Sequence, residues 1–313
     1  MRAGSRAVSA GIAIILAATL SACDRIANLR AKQVLTTANS LYQAQNYKEA
    51  AAKYEEVIQR DPNNTVVYFY LANSYDNLYK PNKPGASVNP AMLTKAIENY
   101  KLAIERAPDP KMKKLSLQYL VSAYGPDKLD DPSQAEPILQ QMIQLDPSDT
   151  AGYFVLARLY EDAGNLDEAE ATLMKAKDTQ PKQSVVYQQL AGYYQRQGEF
   201  AKVIDAILQR TVLEPNNPEA HYSIATYYWD EAFRNTRLND QQKREYAQKG
   251  LESVDKALQL KPDYVEAIVY KGLLLRVQAG MEKDAKRQQD LLKQATALQE
   301  KAADLKNKQA AGV

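Results

Sequence analysis

Hydrophobic residues between positions 150 and 215 recur with the period of an α-helix. In residues 150–181, TAGYFVLARLYEDAGNLDEAEATLMKAKDTQP, apolar side chains lie three or four positions apart, and residues 184–215 repeat this order in register. That spacing places side chains on one face of a helix. Each segment therefore predicts two amphipathic helices with a glycine between them. The shared columns are Tyr153/Tyr187, Leu156/Leu190, Ala157/Ala191, Tyr160/Tyr194, Gly164/Gly198, Leu166/Phe200, Leu173/Ile207 and Pro181/Pro215.

The same columns continue through most of residues 31–280. A small residue recurs on the first helix of five of the six units, where it lets a second helix approach closely; these are Ala38, Ala72, Ala157, Ala191 and Ala225. A proline recurs at the end of each unit and ends the second helix, because it lacks an N–H and clashes with the preceding turn. These prolines are Pro62, Pro108, Pro147, Pro181, Pro215 and Pro262.

These columns resemble the tetratricopeptide repeat, a helix–turn–helix unit of 34 residues. The resemblance implies an all-α fold, a right-handed superhelical solenoid of about six to seven repeats with a C-terminal capping helix. We expect the solenoid to occupy residues 31–280. Its repeats are expected at about 31–64, 65–110, 111–149, 150–183, 184–217 and 218–264, with a half repeat at 265–280.

Two insertions and a charged tail depart from this period. Residues 80–90 predict a Pro/Gly loop, with Asn89 capping the next helix and Pro90 opening it. Residues 230–250 predict two extended helices with a turn near Asn239. In residues 281–313, Leu291, Leu298 and Leu305 are spaced by seven with Ala295 and Ala302 between them. This pattern fits either a short coiled-coil seam or a capping helix on the last repeat, and we favour the cap.

The N-terminal residues 1–22 are typical of a secretory signal. Basic residues precede an apolar run of about 14 residues, which is too short to span a bilayer as a helix. The sequence Leu20-Ser21-Ala22-Cys23 contains the only cysteine and resembles the lipobox of bacterial lipoproteins. The resemblance implies removal of residues 1–22, lipidation of Cys23 and a short tether at 23–30. A plain secreted protein cut after Ala22, or a chance cysteine, is the alternative.

Composition excludes several classes of function. The net charge is +2 with acids and bases interleaved, so the chain lacks the clustered basic residues that hold nucleic acid. One cysteine and one histidine leave no set of thiolate or histidine ligands for a metal. His221 occupies a core column, and we interpret it as structural. We therefore predict no catalytic residue, no metal and no cofactor.

The resemblance implies an extended concave surface that binds a peptide or protein. In the family this groove is lined by one face of the first helices, so the resemblance implies that the corresponding columns line it here. Asn39 and Asn73 would bond a peptide backbone while Tyr42 and Phe69 take its side chains; ordinary exposed residues without a ligand are the alternative. The predicted groove residues are Asn39, Tyr42, Phe69, Asn73, Asn77, Phe154, Arg158, Arg196, Tyr222 and Trp229.

We therefore expect a non-catalytic, membrane-anchored scaffold of the bacterial envelope that supports assembly of an envelope, secretion or pilus complex. The solenoid would lie on the periplasmic or outer side of the membrane, held by the lipid on Cys23. The alternative is an accessory protein of polysaccharide synthesis or export that binds a synthase or the polymer, since Tyr42, Tyr222 and Trp229 also suit sugar rings.

Overall fold

The computed structural model describes residues 29–79 and 89–310 of the chain. Within these residues every regular element is an α-helix, so the predicted all-α class of helix–turn–helix repeats is confirmed. The helices are α1 (29–43), α2 (Tyr47–Arg60), α3 (Val66–Leu78), α4 (Pro90–Arg106), α5 (Pro110–Tyr124), α6 (Pro132–Leu145), α7 (Thr150–Asp162), α8 (Leu166–Thr179), α9 (Ser184–Arg196), α10 (Phe200–Leu213), α11 (Pro218–Arg234), α12 (Asp240–Leu260), α13 (Val265–Met281) and α14 (Ala285–Ala310).

The chain divides into two compact units, Met1–Leu159 (unit 1) and Tyr160–Val313 (unit 2). Within each unit consecutive helices pack on one another, and first helices of adjacent repeats also meet, as α3 meets α5 and α11 meets α13. Every small residue predicted to permit close helix packing is buried, with at most 3% of its surface exposed. These residues are Ala38, Ala72, Ala157, Ala191 and Ala225.

The turn between the two helices of a repeat requires a left-handed residue. Gly164 and Gly198 have φ angles of +79° and +74°, and nothing lies within 4 Å of the position a Cβ would take. Glycine adopts this conformation without steric cost, which explains the glycine column. In the first repeat Gln45 occupies the corresponding position with a φ angle of 58°. The turn therefore requires a left-handed backbone conformation but does not require glycine.

The side chain at the fourth position of a first helix bonds the carbonyl of the proline that ended the previous repeat. The contacts join Tyr68 to Pro62 (3.4 Å), Tyr187 to Pro181 (2.9 Å) and His221 to Pro215 (2.9 Å). Because a carbonyl only accepts, Nε2 of His221 carries the proton. The histidine therefore joins two repeats by a hydrogen bond, as a tyrosine does elsewhere.

The second insertion folds as predicted into two long helices. α11 runs to Arg234 and α12 begins at Asp240, with Asn239 and Gln242 forming a reciprocal capping box. The first insertion differs in detail from the prediction. Pro90 opens α4, but the side chain of Asn89 makes no capping hydrogen bond. Residues 80–88 of that loop lie outside the described residues, as do the predicted signal sequence and Cys23.

The C-terminal helix α14 packs against α13 and completes its pair. Ala295 and Ala302 are buried, and Leu291 and Leu298 pack against the core of unit 2. A Cβ on Gly272 of α13 would lie 3.3 Å from the carbonyl oxygen of Ala295, so the two helices approach closely at this glycine. The face of α14 that carries these leucines and alanines therefore packs against α13 of the same chain. This packing supports the interpretation of α14 as a capping helix over a coiled-coil seam. None of the described helices is long and apolar enough to cross a membrane.

Candidate functional site

Apart from Phe69 and Asn73, the predicted groove residues are half-buried or exposed side chains on first helices. We call the unit 1 face the surface of α1, α3 and α5 formed by Asn39, Tyr42, Tyr70, Asn77 and Tyr119. We call the unit 2 face the surface of α11 and α13 formed by Tyr222, Trp229, Phe233, Val269 and Tyr270. The two faces use the same side of the repeat but differ in chemistry.

An amide and tyrosine network underlies the unit 1 face. The Tyr54 hydroxyl donates to Asn39 Oδ1 at 2.8 Å, and the Tyr42 hydroxyl donates to Asn73 Oδ1 at 2.6 Å. Asn77 Nδ2 donates to the same Asn73 oxygen at 2.9 Å. Burial, with lesser contributions from neighbouring tyrosines, raises the pKa of Tyr42 to about 12. The hydroxyl therefore stays protonated and remains a donor at physiological pH.

The network continues inward to a buried ion pair. Asn73 Nδ2 donates to the Tyr100 hydroxyl, which donates to Asp76 Oδ2 at 3.3 Å. Lys128, from the loop between α5 and α6, donates to Asp76 Oδ1 at 2.6 Å. The pKa of Tyr100 is raised, first by burial and then by the Asp76 charge. Because each of these polar groups has a partner, the network is rigid and holds the amides in one orientation.

Tyrosine rings cover this network. Tyr42 meets Tyr70 edge-on with ring centroids 5.3 Å apart, and Tyr70 stacks on Tyr54. Phe69 meets Tyr119 edge-on at 5.4 Å. Tyr70 and Tyr119 were not among the predicted groove residues. Both occupy the sixth position of their first helix, and this recurring tyrosine, also found at Tyr270, is a signal that the sequence contained.

Two residues predicted to line the groove are buried instead. Phe69 and Asn73 are each 4% exposed, so they support the unit 1 face from below. The oxygen of Asn73 already accepts two hydrogen bonds and its nitrogen donates one. By contrast, the nitrogen of Asn39 and the side-chain oxygen of Asn77 make no hydrogen bond within the described residues. Asn39 therefore presents a donor and Asn77 an acceptor.

The unit 2 face is an aromatic ladder without amides. Tyr222 and Trp229 each meet Tyr270 edge-on at 5.4 Å. Trp229 stacks on Phe233 with ring centroids 5.2 Å apart and an interplanar angle of 10°, and Phe233 is 62% exposed. Phe233 was not predicted, because it lies beyond the standard length of a first helix, on the extended end of α11. Its spacing of four from Trp229 was the available signal.

Charged side chains flank this ladder. Arg196 contacts both carboxylate oxygens of Glu161, at 2.7 and 2.8 Å, and Arg234 pairs with Asp230 at 2.6 Å. A two-point contact fixes the guanidinium plane as well as its position.

The remaining predicted residues, Phe154 and Arg158, lie on α7, half-buried and exposed respectively. Within the described residues no cluster of His, Cys, Asp and Glu could hold a metal ion.

Comparison with known proteins identifies the repeat. Residues 35–64 and 128–192 match sequence models of the tetratricopeptide repeat. The C-terminal part of a TPR repeat-containing protein from Cytophaga hutchinsonii has a similar structure, with a TM-score of 0.58 and 18% identity over 87% of this chain and 98% of that one. This likeness shows the tetratricopeptide fold.

Two other structures are similar at lower scores. MamA has a TM-score of 0.42 and 19% identity over 58% of this chain and 93% of its own. PilW, a type IV pilus biogenesis factor, has a TM-score of 0.42 and 18% identity over 76% and 96%. No curated protein matches the chain in sequence.

Proposed function

We propose that this chain is a non-catalytic scaffold that binds an extended segment of a partner protein on the unit 1 face. The supporting observation is the pair of oriented amides, Asn39 with an unused donor and Asn77 with an unused acceptor. An extended peptide exposes a carbonyl and an N–H at every residue, so it offers both matching groups. Each such hydrogen bond contributes about 0.5–1.5 kcal/mol net.

Apolar side chains of the peptide would contact the tyrosines around these amides. Tyr42 and Tyr70 are half-buried, and Tyr119 and Val66 are 37% and 41% exposed. Tyrosine supplies a large rigid contact with little loss of conformational freedom. The preformed network lowers the entropic cost of ordering the site when the peptide arrives. The unit 1 face therefore suits a peptide of low charge with apolar side chains.

The test replaces one atom of the site. Asn39→Asp keeps an oxygen for the Tyr54 hydroxyl but removes the amide donor and places a negative charge against the peptide carbonyl. A photocrosslinking residue at exposed Gln43 should capture one discrete protein in the intact envelope, whereas one at Glu105 of α4 should not. Asn39→Asp should reduce the capture from Gln43 at least fivefold.

The matched control is Asn99→Asp on α4, which adds the same charge on a second helix and should leave the capture unchanged. Equal capture from Gln43 and Glu105, or capture that is insensitive to Asn39→Asp, would contradict peptide binding on the unit 1 face. Circular dichroism of each variant checks that the helices are retained.

We further propose that the scaffold is anchored to a bacterial membrane by lipid on Cys23 and supports assembly of an envelope, secretion or pilus complex. The support is the sequence before Cys23, which resembles a lipobox. Two acyl chains suffice for stable anchoring where one is marginal. Cys23→Ser should move the protein from the membrane fraction to the soluble fraction; continued membrane fractionation would refute the anchor.

A second candidate function is binding of a polysaccharide, and the Trp229–Phe233 stack favours it. An exposed ring face of this kind suits the apolar face of a sugar ring. In this case, polysaccharide from the same envelope should retard the protein in affinity electrophoresis, and Phe233→Ala should abolish the retardation. Retardation together with no captured protein would favour this function over the peptide scaffold.

A further inference from the structure

Unit 2 contains a groove on the side formed by its second helices. We call it the outer groove. It has a volume of about 590 Å³, with α8 and α10 as walls and α9 as the floor. It contains none of the residues of either first-helix face. Binding there would therefore be additional to the function proposed above.

The floor of the outer groove is apolar. Leu190 on the floor is 3% exposed, and Met174, Ala201 and Ala206, which is 5% exposed, line the walls. The two tyrosines of the groove already use their hydroxyls, Tyr187 on a backbone carbonyl and Tyr194 on Glu170. A ligand would therefore meet apolar surface along the floor, and burial of that surface would drive binding.

The walls carry one available charge of each sign. Lys202 is occupied, because it pairs with Glu170 at 3.1 Å and Glu199 at 2.9 Å. Lys177 on α8 and Asp205 on α10 line the groove, and neither makes a hydrogen bond or ion pair with another described residue. A cation on one wall thus faces an anion on the other, which fixes the charge pattern of a complementary ligand.

An exposed valine extends the α10 wall. Val212 follows Asp205 by seven residues, or two helical turns, so both lie on the same side of α10. It is 71% exposed, more than any other large hydrophobic side chain in the described residues. A ligand that lies in the outer groove and continues along α10 would therefore reach this side chain.

We propose that the outer groove binds an amphipathic segment of a partner protein. The segment places apolar residues on the floor and against Val212, an acidic residue beside Lys177 and a basic residue beside Asp205. The opposite wall charges fix its orientation, because a reversed segment would bring like charges together.

The test selects ligands from a random peptide library displayed on phage, with the full chain immobilised in detergent. We expect enriched peptides that combine apolar residues with one acidic and one basic residue in a fixed order. Ala201→Trp fills the groove and should weaken their binding at least tenfold, while Asn39→Asp on the unit 1 face should not. Ala201 is exposed, so the larger side chain should be tolerated by the fold.

The charge pattern is tested separately by the double substitution Lys177→Glu with Asp205→Lys, which should select peptides with the acidic and basic residues exchanged. No enrichment, or an unchanged charge order, would overturn the proposal. Peptides sensitive to Asn39→Asp but not to Ala201→Trp would overturn it while supporting the unit 1 face. Self-association of the chain that Ala201→Trp abolishes would assign the groove to a second copy and also overturn it.

Discussion

The two first-helix faces use the same columns of the repeat for different chemistry. On α1 and α3 of the unit 1 face the ninth position is asparagine. Asn39 and Asn73 accept hydrogen bonds from tyrosine hydroxyls, and the network around Asn73 ends at a buried ion pair. In unit 2 the corresponding residues of α9 and α11 are Gly192 and Thr226. Aromatic rings pack on one another on both faces, but on the unit 2 face no asparagine lies among them.

This difference determines what each face can offer a ligand. The unit 1 face presents hydrogen-bonding groups whose direction is fixed by buried partners. The unit 2 face presents ring surfaces, and its rim carries the exposed ion pair of Arg234 and Asp230. The two faces therefore differ in the groups they offer a ligand, while the small residues that let the helices pack, such as Ala72 and Ala225, are the same.

The largest expected effect is a loss of folding stability when the buried ion pair beneath the unit 1 face is broken. Lys128→Met leaves the carboxylate of Asp76, whose side chain is 7% exposed, without its counter-ion. Removing one partner of a buried pair is strongly destabilising, and we expect a loss of about 3 kcal/mol. Urea denaturation followed by circular dichroism measures this loss. Fluorescence of Trp229, the only tryptophan, reports unit 2 separately.

The control is Arg234→Met, which breaks the pair at the rim of the unit 2 face. The side chains of Arg234 and Asp230 are 72% and 32% exposed, so water replaces much of the lost contact. We expect a loss of less than about 1 kcal/mol. Equal losses for the two variants would break the contrast between a buried network and a solvated rim.

The next effect tests whether the unit 2 face depends on close packing beneath it. A Cβ at residue 250 would lie 2.7 Å from Leu274 Cδ2 and 3.3 Å from Tyr228 Cβ. Gly250→Ala should therefore destabilise unit 2 by about 1–3 kcal/mol through overpacking. Gly280→Ala, where nothing lies within 4 Å, is the control and should stabilise slightly. Equal stability of both variants, read by Trp229 fluorescence, would show that α12 and α13 can separate without cost.

A smaller effect tests whether Phe233 covers the indole ring of Trp229 on the unit 2 face. Phe233→Ala removes an exposed ring, so its effect on unfolding should be under about 0.5 kcal/mol. The Trp229 ring loses its cover, however, and its emission should shift to longer wavelength. Val212→Ala, an exposed apolar change on α10, should leave the emission unchanged. An unshifted spectrum in Phe233→Ala would mean that the stack does not cover the indole in solution.

The smallest expected effect concerns a partly exposed ion pair of unit 1, between Lys114 and Asp146, which can be compared with the buried pair of Lys128 and Asp76. Hydrogen bonds from Lys114 and Ser148 lower the pKa of Asp146 to about 2. A carboxyl with a lowered pKa stabilises the fold above its unfolded pKa of about 4, and this contribution is lost as pH falls through about 2. The difference in melting temperature between wild type and Lys114→Met should therefore shrink from pH 5 to pH 2.

The neighbouring lysine provides the control for this titration. Lys113 makes no ion pair with another described residue, so Lys113→Met should melt like the wild type throughout this pH range. A difference for Lys114→Met that stayed constant down to pH 2 would mean that the ion pair with Asp146 is not its cause.

Local rules made several elements of the fold predictable. The glycine column predicted the turns at Gly164 and Gly198, because a left-handed residue is a property of one position. The small residues at Ala72 and Ala191 predicted where helices meet, because volume at one column limits their approach. His221 was correctly interpreted as structural from its column.

Other features needed the third dimension. Asn73 and Phe69 share the spacing of groove residues, yet both are buried because α1, α4 and α5 bring Tyr42, Tyr100 and Tyr119 over or against them. Lys128 meets Asp76 across 52 residues of sequence, a separation that no periodicity predicts. The choice between coiled coil and cap for α14 also depended on whether α13 was near enough to cover its alanines.

The sequence by itself determined the repeat, the order of its helices and the columns that pack, because these follow from backbone conformation and side-chain volume at single positions. Only the tertiary structure decided which groove residues are open, which amide atoms remain unused and which charged side chains remain unpaired. Those properties depend on the distances between atoms of different helices, and two sequences with the same columns can differ in all of them.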